Sequence, residues 1–310
     1  MTSQQPAPQI LLGHHLKALR LPTFLREHEK LAMQCAREKA DYATYLLRLA
    51  EKELLERERK GTERRIKQAG FPAGKTLDDF DFAAAPSLNK KQVFELARCE
   101  WIEKKENLIL IGNPGCGKSH LAIALGRLAC QSGLNVRFLT AAALINELVE
   151  ARNEKSLLRL QKKLSRVQLL IVDEMGYIPF SKTGAELLFE TFSQRYERGS
   201  ILVTTNLPFE EWTSILQSER LTGALLDRLT HRVHILPIQE GSYRLSQSKK
   251  RKQPSAKETD MTHKPKEADA TDKPAKLNSE KRKDATHKPS KSSREKKEAS
   301  DEELTQQTGS

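Results

Sequence analysis

The sequence predicts an α/β fold built on a five-stranded parallel sheet, preceded by a small all-helical domain and followed by a disordered tail. Three observations carry that prediction. Short apolar runs, most of them continuous, alternate with stretches of helical period, the chemically distinctive residues fall directly after those runs, and the composition shifts near residue 246. The chain has 310 residues, 53 Lys+Arg against 41 Asp+Glu, and 37% hydrophobic content. That length buries a sizeable core, but the composition is lean for a chain that is globular throughout.

The five runs are Leu108–Ile111, Val136–Leu139, Leu169–Val172, Ile201–Val203 and Val233–Leu236. Strands that are apolar on both faces belong to a parallel sheet covered by helices on either side. The ligand site of such a sheet lies beyond the carboxyl ends of its strands.

Residues 14 to 70 read as helical. Phe24, His28, Leu31 and Cys35 recur at 4, 3 and 4 spacing behind Pro22, a residue suited to a helix start. Asp41 is the candidate N-cap of a second helix with Tyr42, Tyr45, Leu46 and Leu49 on one face, and Gly70 with Pro72 ends it. The segment carries 14 basic and 9 acidic residues, which suits a small bundle with a solvated face at least as well as a DNA-contacting one.

From Ser246 to Ser310 there are 17 Lys+Arg and 12 Asp+Glu, repeated Lys-Pro steps, and Met261, Leu277 and Leu304 as the larger apolar residues. Such a segment cannot bury enough surface to offset its ordering entropy. The division expected is therefore 1–75 helical, 76–245 α/β, and 246–310 disordered and basic. No run approaches the ~18 apolar residues of a spanning helix and the first residues lack a secretory signal pattern, so the expectation is a cytoplasmic protein without membrane contact. Cys35, Cys99, Cys116 and Cys130 are never spaced as C-x-x-C, which suggests neither a zinc site nor a disulfide framework.

The first apolar run leads into Gly112-Asn113-Pro114-Gly115-Cys116-Gly117-Lys118-Ser119, a complete G-x-x-x-x-G-K-[ST], and then into a helical run from His120. The glycines let backbone N–H groups turn inward as an anion cradle, and the helix presents its positive end to phosphates. Lys118 is expected to reach the β- and γ-phosphates and Ser119 to ligate Mg²⁺. The third run ends in Asp173-Glu174. A carboxylate at the tip of a buried strand needs a partner, and Mg²⁺ supplies one for Asp173. Glu174 is assigned to polarise the attacking water. The fourth run ends in Thr204-Thr205-Asn206. If that strand is inserted between the first and third, Asn206 can hydrogen-bond the γ-phosphate or the lytic water.

With these motifs in order, the chain resembles the AAA+ ATPases, specifically the IstB-type transposition helper ATPases and, more distantly, DnaC-type helicase loaders and DnaA-type initiators. The resemblance extends over Asp78–Phe82, Cys99–Glu103, Asp173–Pro179, Gly184–Phe189, Arg195–Arg198, Thr205–Phe209 with Trp212, and Leu225–Leu229 with His231-Arg232. It covers residues from about 14 to 245. It implies an AAA+ P-loop NTPase that binds ATP with the whole loop and His120, hydrolyses it between subunits of a homo-oligomer, and places Arg228 across the interface as an arginine finger, with Arg232 as the fallback. Phe80 and Phe82, just before the ATPase core, are candidates to pack near the adenine, with core packing the expected role for at least one of them.

The resemblance further implies duplex DNA and an IstA-type transposase as partners. An extra helical stretch after the second strand, Ala141–Arg166, carries Arg152, Lys155, Arg159, Lys162, Lys163 and Arg166. The last five approach i, i+3 or i, i+4 spacing, a basic face able to track phosphates. No aromatic residue interleaves with them, which favours sequence-tolerant backbone contact.

Two departures stand out. Only Gln239–Leu245 separates the last run from the tail, so the helical lid is expected to be reduced or absent and a sensing role for Arg244 is in doubt. Cys116 also stands where Thr is usual, without consequence for the backbone cradle. A helicase loader and a non-hydrolysing nucleotide-dependent scaffold are the rival readings. The trio Glu174, Asn206 and Arg228 speaks against the scaffold.

Overall fold

The computed structural model describes residues 7–239 together with Gly241 and Tyr243. The chain divides into two units, Met1–Ser255 and Ala256–Ser310, the second of which lies wholly outside the described residues. Arg244 and the segment expected as a tail lie outside them too, as does most of the stretch where a lid would follow.

Three helices come first: α1 (Ala7–Ala18), α2 (Pro22–Glu38) and α3 (Tyr42–Ala69). Pro22 opens α2 as read from sequence, but Leu21, its N-cap, offers no side-chain hydrogen bond. The missing cap comes from α3, where the buried Glu53 carboxylate accepts from the Thr23 N–H at 2.9 Å and from Arg57 Nε at 2.7 Å. Burial pushes the Glu53 carboxyl up, but the bonds from Arg57 and Thr23 prevail and hold it below the usual carboxylate range. Asp41 caps α3 through the Thr44 N–H at 2.8 Å, and Gly70 closes it at φ +76°.

The face expected on α3 is only half correct. Leu49 is buried and Tyr45 half-buried, but Tyr42 and Leu46 are exposed. The reason is the docking of α2 against the side of α3 that carries Leu49 and Glu53, so the buried stripe is rotated toward a carboxylate that hydropathy scores as polar.

The α/β part contains α4 (Lys90–Ala97), α5 (Glu100–Glu103), β1 (Asn107–Gly112), α6 (Lys118–Gln131), β2 (Val136–Thr140), α7 (Ala141–Asn153), α8 (Leu157–Ser165), β3 (Leu169–Met175), α9 (Lys182–Arg195), β4 (Ser200–Thr205), α10 (Trp212–Leu216), α11 (Glu219–Thr230) and β5 (Val233–Ile238). The strands form one parallel sheet in the order β2-β3-β4-β1-β5. Strand β4 therefore lies between β1 and β3, the condition on which the reading of the fourth strand's tip depended. All five apolar runs are strands, and the expected α/β fold on a five-stranded parallel sheet is present.

Alternation along each strand divides the core into two layers. Leu108, Leu110, Leu169, Ile171 and Leu202 pack with α6, α4 and α5, and with Ala69 at the end of α3. Ile109, Leu170, Val172, Ile201 and Val203 pack with α7, α9, α10 and α11. The helical segment is thus built into the first layer, where Arg65 Nε also donates to the Cys130 carbonyl at 2.8 Å.

Candidate nucleotide site and basic helix

The loop from Gly112 to Gly117 joins β1 to α6 at the carboxyl edge of the sheet. A Cβ at Gly112 would stand 2.0 Å from the Ile238 carbonyl oxygen on the neighbouring β5, so this position accepts no side chain. Gly117 has φ +104°, and a Cβ there would meet the Phe80 ring at 2.9 Å. The two glycines have separate reasons, the close approach of the paired strand β5 for one and left-handed backbone with an abutting ring for the other. Cys116 is buried, with its Sγ 3.8 Å from Lys118 Nζ. Lys118 opens α6 and donates to the carbonyls of Gly112 at 2.7 Å and Asn113 at 2.8 Å, so its ammonium spans the mouth of the loop.

Strand β3 brings Asp173 to the same edge. Its carboxylate is only 5% exposed and accepts from Ser119 Oγ at 2.9 Å and Thr204 Oγ1 at 2.5 Å. The register between β3 and β4 shifts between Val172 and Met175, and Glu174 takes a left-handed φ of +59° at that irregularity. Its N–H donates to Thr204 Oγ1 at 2.9 Å, and its side chain faces solvent. One threonine hydroxyl thus orients Asp173 and holds the backbone that turns Glu174 outward. Sequence reasoning sets Thr204 beside Asn206 at the strand tip but gives it no role. The available signal was a hydroxyl residue ending an otherwise apolar strand. Asn206 is half-buried just past β4, and Thr205 turns back to the Leu207 backbone.

A small cavity adjoins the loop, lined by Phe80, Ala85, Cys116, Gly117, His120 and Tyr243 among others. Phe80 contacts Phe82 and His120 edge-on, at ring-centroid distances of 4.9 and 5.3 Å. Phe82 instead stacks on Phe94 at 5.9 Å, so of the two candidates it is Phe80 that lines the cavity. His120 is fixed by the Thr76 carbonyl at 2.8 Å. The Tyr243 N–H reaches the Gly115 carbonyl at 3.1 Å, bringing the chain beyond β5 back over the phosphate loop.

Arg228 lies at the other end of the sheet. Asn107, the first residue of β1, donates its Nδ2 to the Leu229 carbonyl at 3.0 Å, and its N–H to the Arg232 carbonyl at 2.7 Å. A six-residue strand spans about 16 Å, so the end of α11 and the phosphate loop of the same subunit are separated by roughly that length. Arg228 donates to the Ala224 carbonyl at 2.8 Å and its guanidinium lies 4.9 Å from the Phe189 ring centre. Arg232 is exposed in the turn after α11.

The basic stretch departs from expectation. The chain breaks it into α7 and α8, with Lys155 in the intervening turn at φ +57°. Arg152 closes α7 and Lys155 belongs to neither helix, so the single face reduces to Arg159, Lys162 and Lys163 on α8, with Arg166 at its C-cap. The break follows from burial. Leu148 and Ala151 are buried on α7 and Gln161 and Leu164 on α8, so each helix is anchored on its own side of the turn. The open groove between them, about 670 Å³, has Glu147, Glu150 and Glu154 on one wall and Arg159, Lys162, Lys163 and Arg166 on the other.

The family described as IstB-like ATP binding protein matches residues 14–251. An ATP-binding protein of insertion sequence IS21 from Pseudomonas aeruginosa is 40% identical over 242 residues, covering 76% of this chain and 91% of that one. One of insertion sequence IS5376 from Geobacillus stearothermophilus is 36% identical, covering 74% and 92%. Among solved structures, the DnaC helicase loader aligns with a TM-score of 0.42 at 21% identity, covering 48% of this chain and 86% of that one. With a match spanning helices, phosphate loop and all five strands, the chain belongs to the IstB-like ATP-binding proteins of insertion sequences.

Proposed function

We propose that this protein is an ATP-hydrolysing helper of transposition that assembles as a homo-oligomer on duplex DNA and recruits an IstA-type transposase. The observation that carries the ATPase reading is the convergence of Ser119 and Thr204 hydroxyls on a buried Asp173 beside the phosphate loop. A carboxylate so enclosed, and met by hydroxyl donors, fits a site for a hard cation. Ser119 and Asp173 would hold Mg²⁺, which would supply charge neutralisation between the β- and γ-phosphates.

In this reading the backbone of Gly112–Gly117 and the start of α6 bind the phosphates. Lys118 exchanges its loop carbonyls for phosphate oxygens. Glu174, turned outward by its left-handed backbone, takes the proton of the attacking water, and Asn206 orients that water. Phe80 and His120 receive the base. Arg228 cannot reach its own subunit's nucleotide across the length of β1, which supports its acting on a neighbour's.

The DNA reading rests on Arg159, Lys162 and Lys163 of α8, with Lys155 in the turn beside them, and on the insertion-sequence relatives. These residues make phosphate contacts that tolerate any sequence. The division into 1–75, 76–245 and 246–310 is part of the same proposal, as is a cytoplasmic setting. Among the described residues no helix is long and apolar enough to cross a membrane.

The test is assembly. Full-length protein with Mg²⁺, ATP and a linear duplex is expected to sediment as a DNA-bound oligomer, and to do so less as salt rises. A monomer that ignores duplex DNA under these conditions would refute the reading. Adding an IstA-type transposase is expected to raise ATP turnover.

A further inference from the structure

Arg195, the last residue of α9, is the one buried basic side chain among the described residues, at 4% exposure. No carboxylate pairs with it. Its Nη1 donates to the Leu164 carbonyl at 2.8 Å, and its Nη2 to those of Val167, Gln168 and Ser200 at 3.0, 3.2 and 3.0 Å. Its Nε has no partner. Burial alone pulls the guanidinium down to about 10, which leaves it charged at neutral pH. A buried cation satisfied only by carbonyls is costly to keep for packing alone, and an apolar side chain would fill the space more cheaply.

The partners indicate what Arg195 does. Leu164 is among the last residues of α8, at the negative end of the helix dipole, where its carbonyl accepts only a turn-type bond from the Val167 N–H at 3.1 Å beside that from Arg195. Arg195 therefore caps, from α9, the helix that carries Arg159, Lys162 and Lys163. The same side chain ties that cap to Ser200 at the start of β4. Gly199 leaves it room, since a Cβ there would stand 2.6 Å from Nη2. On its other side Arg195 shares a residual cavity of about 10 Å³ with Asn107, Tyr196, Arg228 and Leu229, too small to absorb a shift of any lining residue. Further back on α9, Phe189 supports the Arg228 guanidinium.

We propose that Arg195 is a positioning residue for Arg228, locking the basic helix α8, the end of α9 and the arginine-bearing end of α11 into one rigid unit. Contact of α8 with a polyanion then bears directly on the placement of Arg228. The proposal rests on the reading of Arg228 as acting on a neighbouring subunit's nucleotide, and its test separates the two.

The test is complementation in mixed full-length oligomers. Arg195→Lys keeps a charge but cannot span four carbonyls with a planar fork. Its ATP turnover is expected to fall about tenfold or more, a part of the 10³-fold or larger effect of losing an arginine finger. Glu174→Gln subunits are inactive at their own sites yet present an intact Arg228. Mixed with them, Arg195→Lys subunits are expected to regain turnover several-fold, as Arg228→Ala subunits do, because their own nucleotide sites are sound. A general loss of folding would not be rescued.

If Arg228→Ala is rescued and Arg195→Lys is not, Arg195 acts only within its own subunit and the proposal is wrong. If Arg228→Ala itself is not rescued, the action across subunits fails and takes this proposal with it. Should Arg195→Lys not fold, Gly199→Ala displaces the intact guanidinium and enters the same mixtures, where rescue supports the proposal and its absence beside a rescued Arg228→Ala overturns it. The ratio of DNA-stimulated to basal turnover provides a second readout. It is expected to fall in both variants, and an unchanged ratio would sever α8 from Arg228.

Discussion

The two edges of the sheet handle charge in opposite ways. At the carboxyl edge, Asp173 is met by two hydroxyls, Lys118 by loop carbonyls, and Glu174 faces solvent, so the site is lined by groups whose stronger partners would be a polyphosphate and a cation. At the amino edge, Asn107 and Arg195 are tied to backbone groups of several segments, with the Nε of Arg195 left over. Groups at the first edge can exchange partners at little cost, whereas those at the second cannot let go without leaving buried atoms unpaired. The first suits ligand binding and the second suits holding a frame. In the function proposed above, Arg228, on the frame's rim, does both.

Substitutions at the two edges should therefore fail differently. The largest effect is expected from Lys118→Ala, with ATP turnover down on the order of 10³-fold and nucleotide binding lost, while Glu174→Gln loses about 10²-fold in turnover yet retains bound ATP and a DNA-bound assembly. Steady-state turnover beside nucleotide retention checks both, and equal retention in the two variants would break the role assignment. Next comes Gly112→Ala, which forces a Cβ into the Ile238 carbonyl where β1 and β5 meet. Denaturant unfolding should show a loss of about 3 kcal/mol together with weakened nucleotide binding.

Asn107→Ala leaves the Leu229 carbonyl and the Ile201 N–H without their buried partner. It should cost about 2 kcal/mol in unfolding free energy with nucleotide affinity unchanged, and an affinity loss of equal size would contradict the division between the edges. The smallest effect is expected away from the sheet. Glu53→Gln should lose about 1 kcal/mol, seen in the unfolding of the helical segment. Because the folded Glu53 pKa is depressed, its contribution is present above the ordinary glutamate value of about 4.3 and is lost as pH falls through the folded pKa. The difference between wild type and Glu53→Gln should accordingly vanish in acid.

Much of the carboxyl edge was legible because its signals are local. A phosphate loop must be contiguous to wrap an anion, so Gly112–Ser119 is readable as a string, and strand tips announce themselves where apolar runs end in Asp173-Glu174 or Thr204–Asn206. The amino edge was not legible. Arg195 falls within a stretch that carries the family resemblance, but its charge is balanced by carbonyls of Leu164, Val167, Gln168 and Ser200, and every residue has a carbonyl, so no pattern marks the acceptors. Glu53 is hidden for the same reason, being an acidic residue in a charged helix that caps another helix 30 positions away. The basic stretch defeats a spacing argument because spacing assumes one unbroken helix, and the chain breaks at Lys155 so that α7 and α8 each bury their own residues in the core.

By itself the sequence determined the strand set, the phosphate loop, the caps at Asp41 and Gly70, and the family, because each depends on neighbours along the chain or on a period that adjacent residues share. The tertiary structure decided the strand order, Thr204 as the hinge between Asp173 and Glu174, which basic residues share a face, and the separation of Arg228 from its own phosphate loop. Those are properties of approach between distant segments. They depend on how twist, burial and hydrogen-bond completion are satisfied together, and no single segment carries that information.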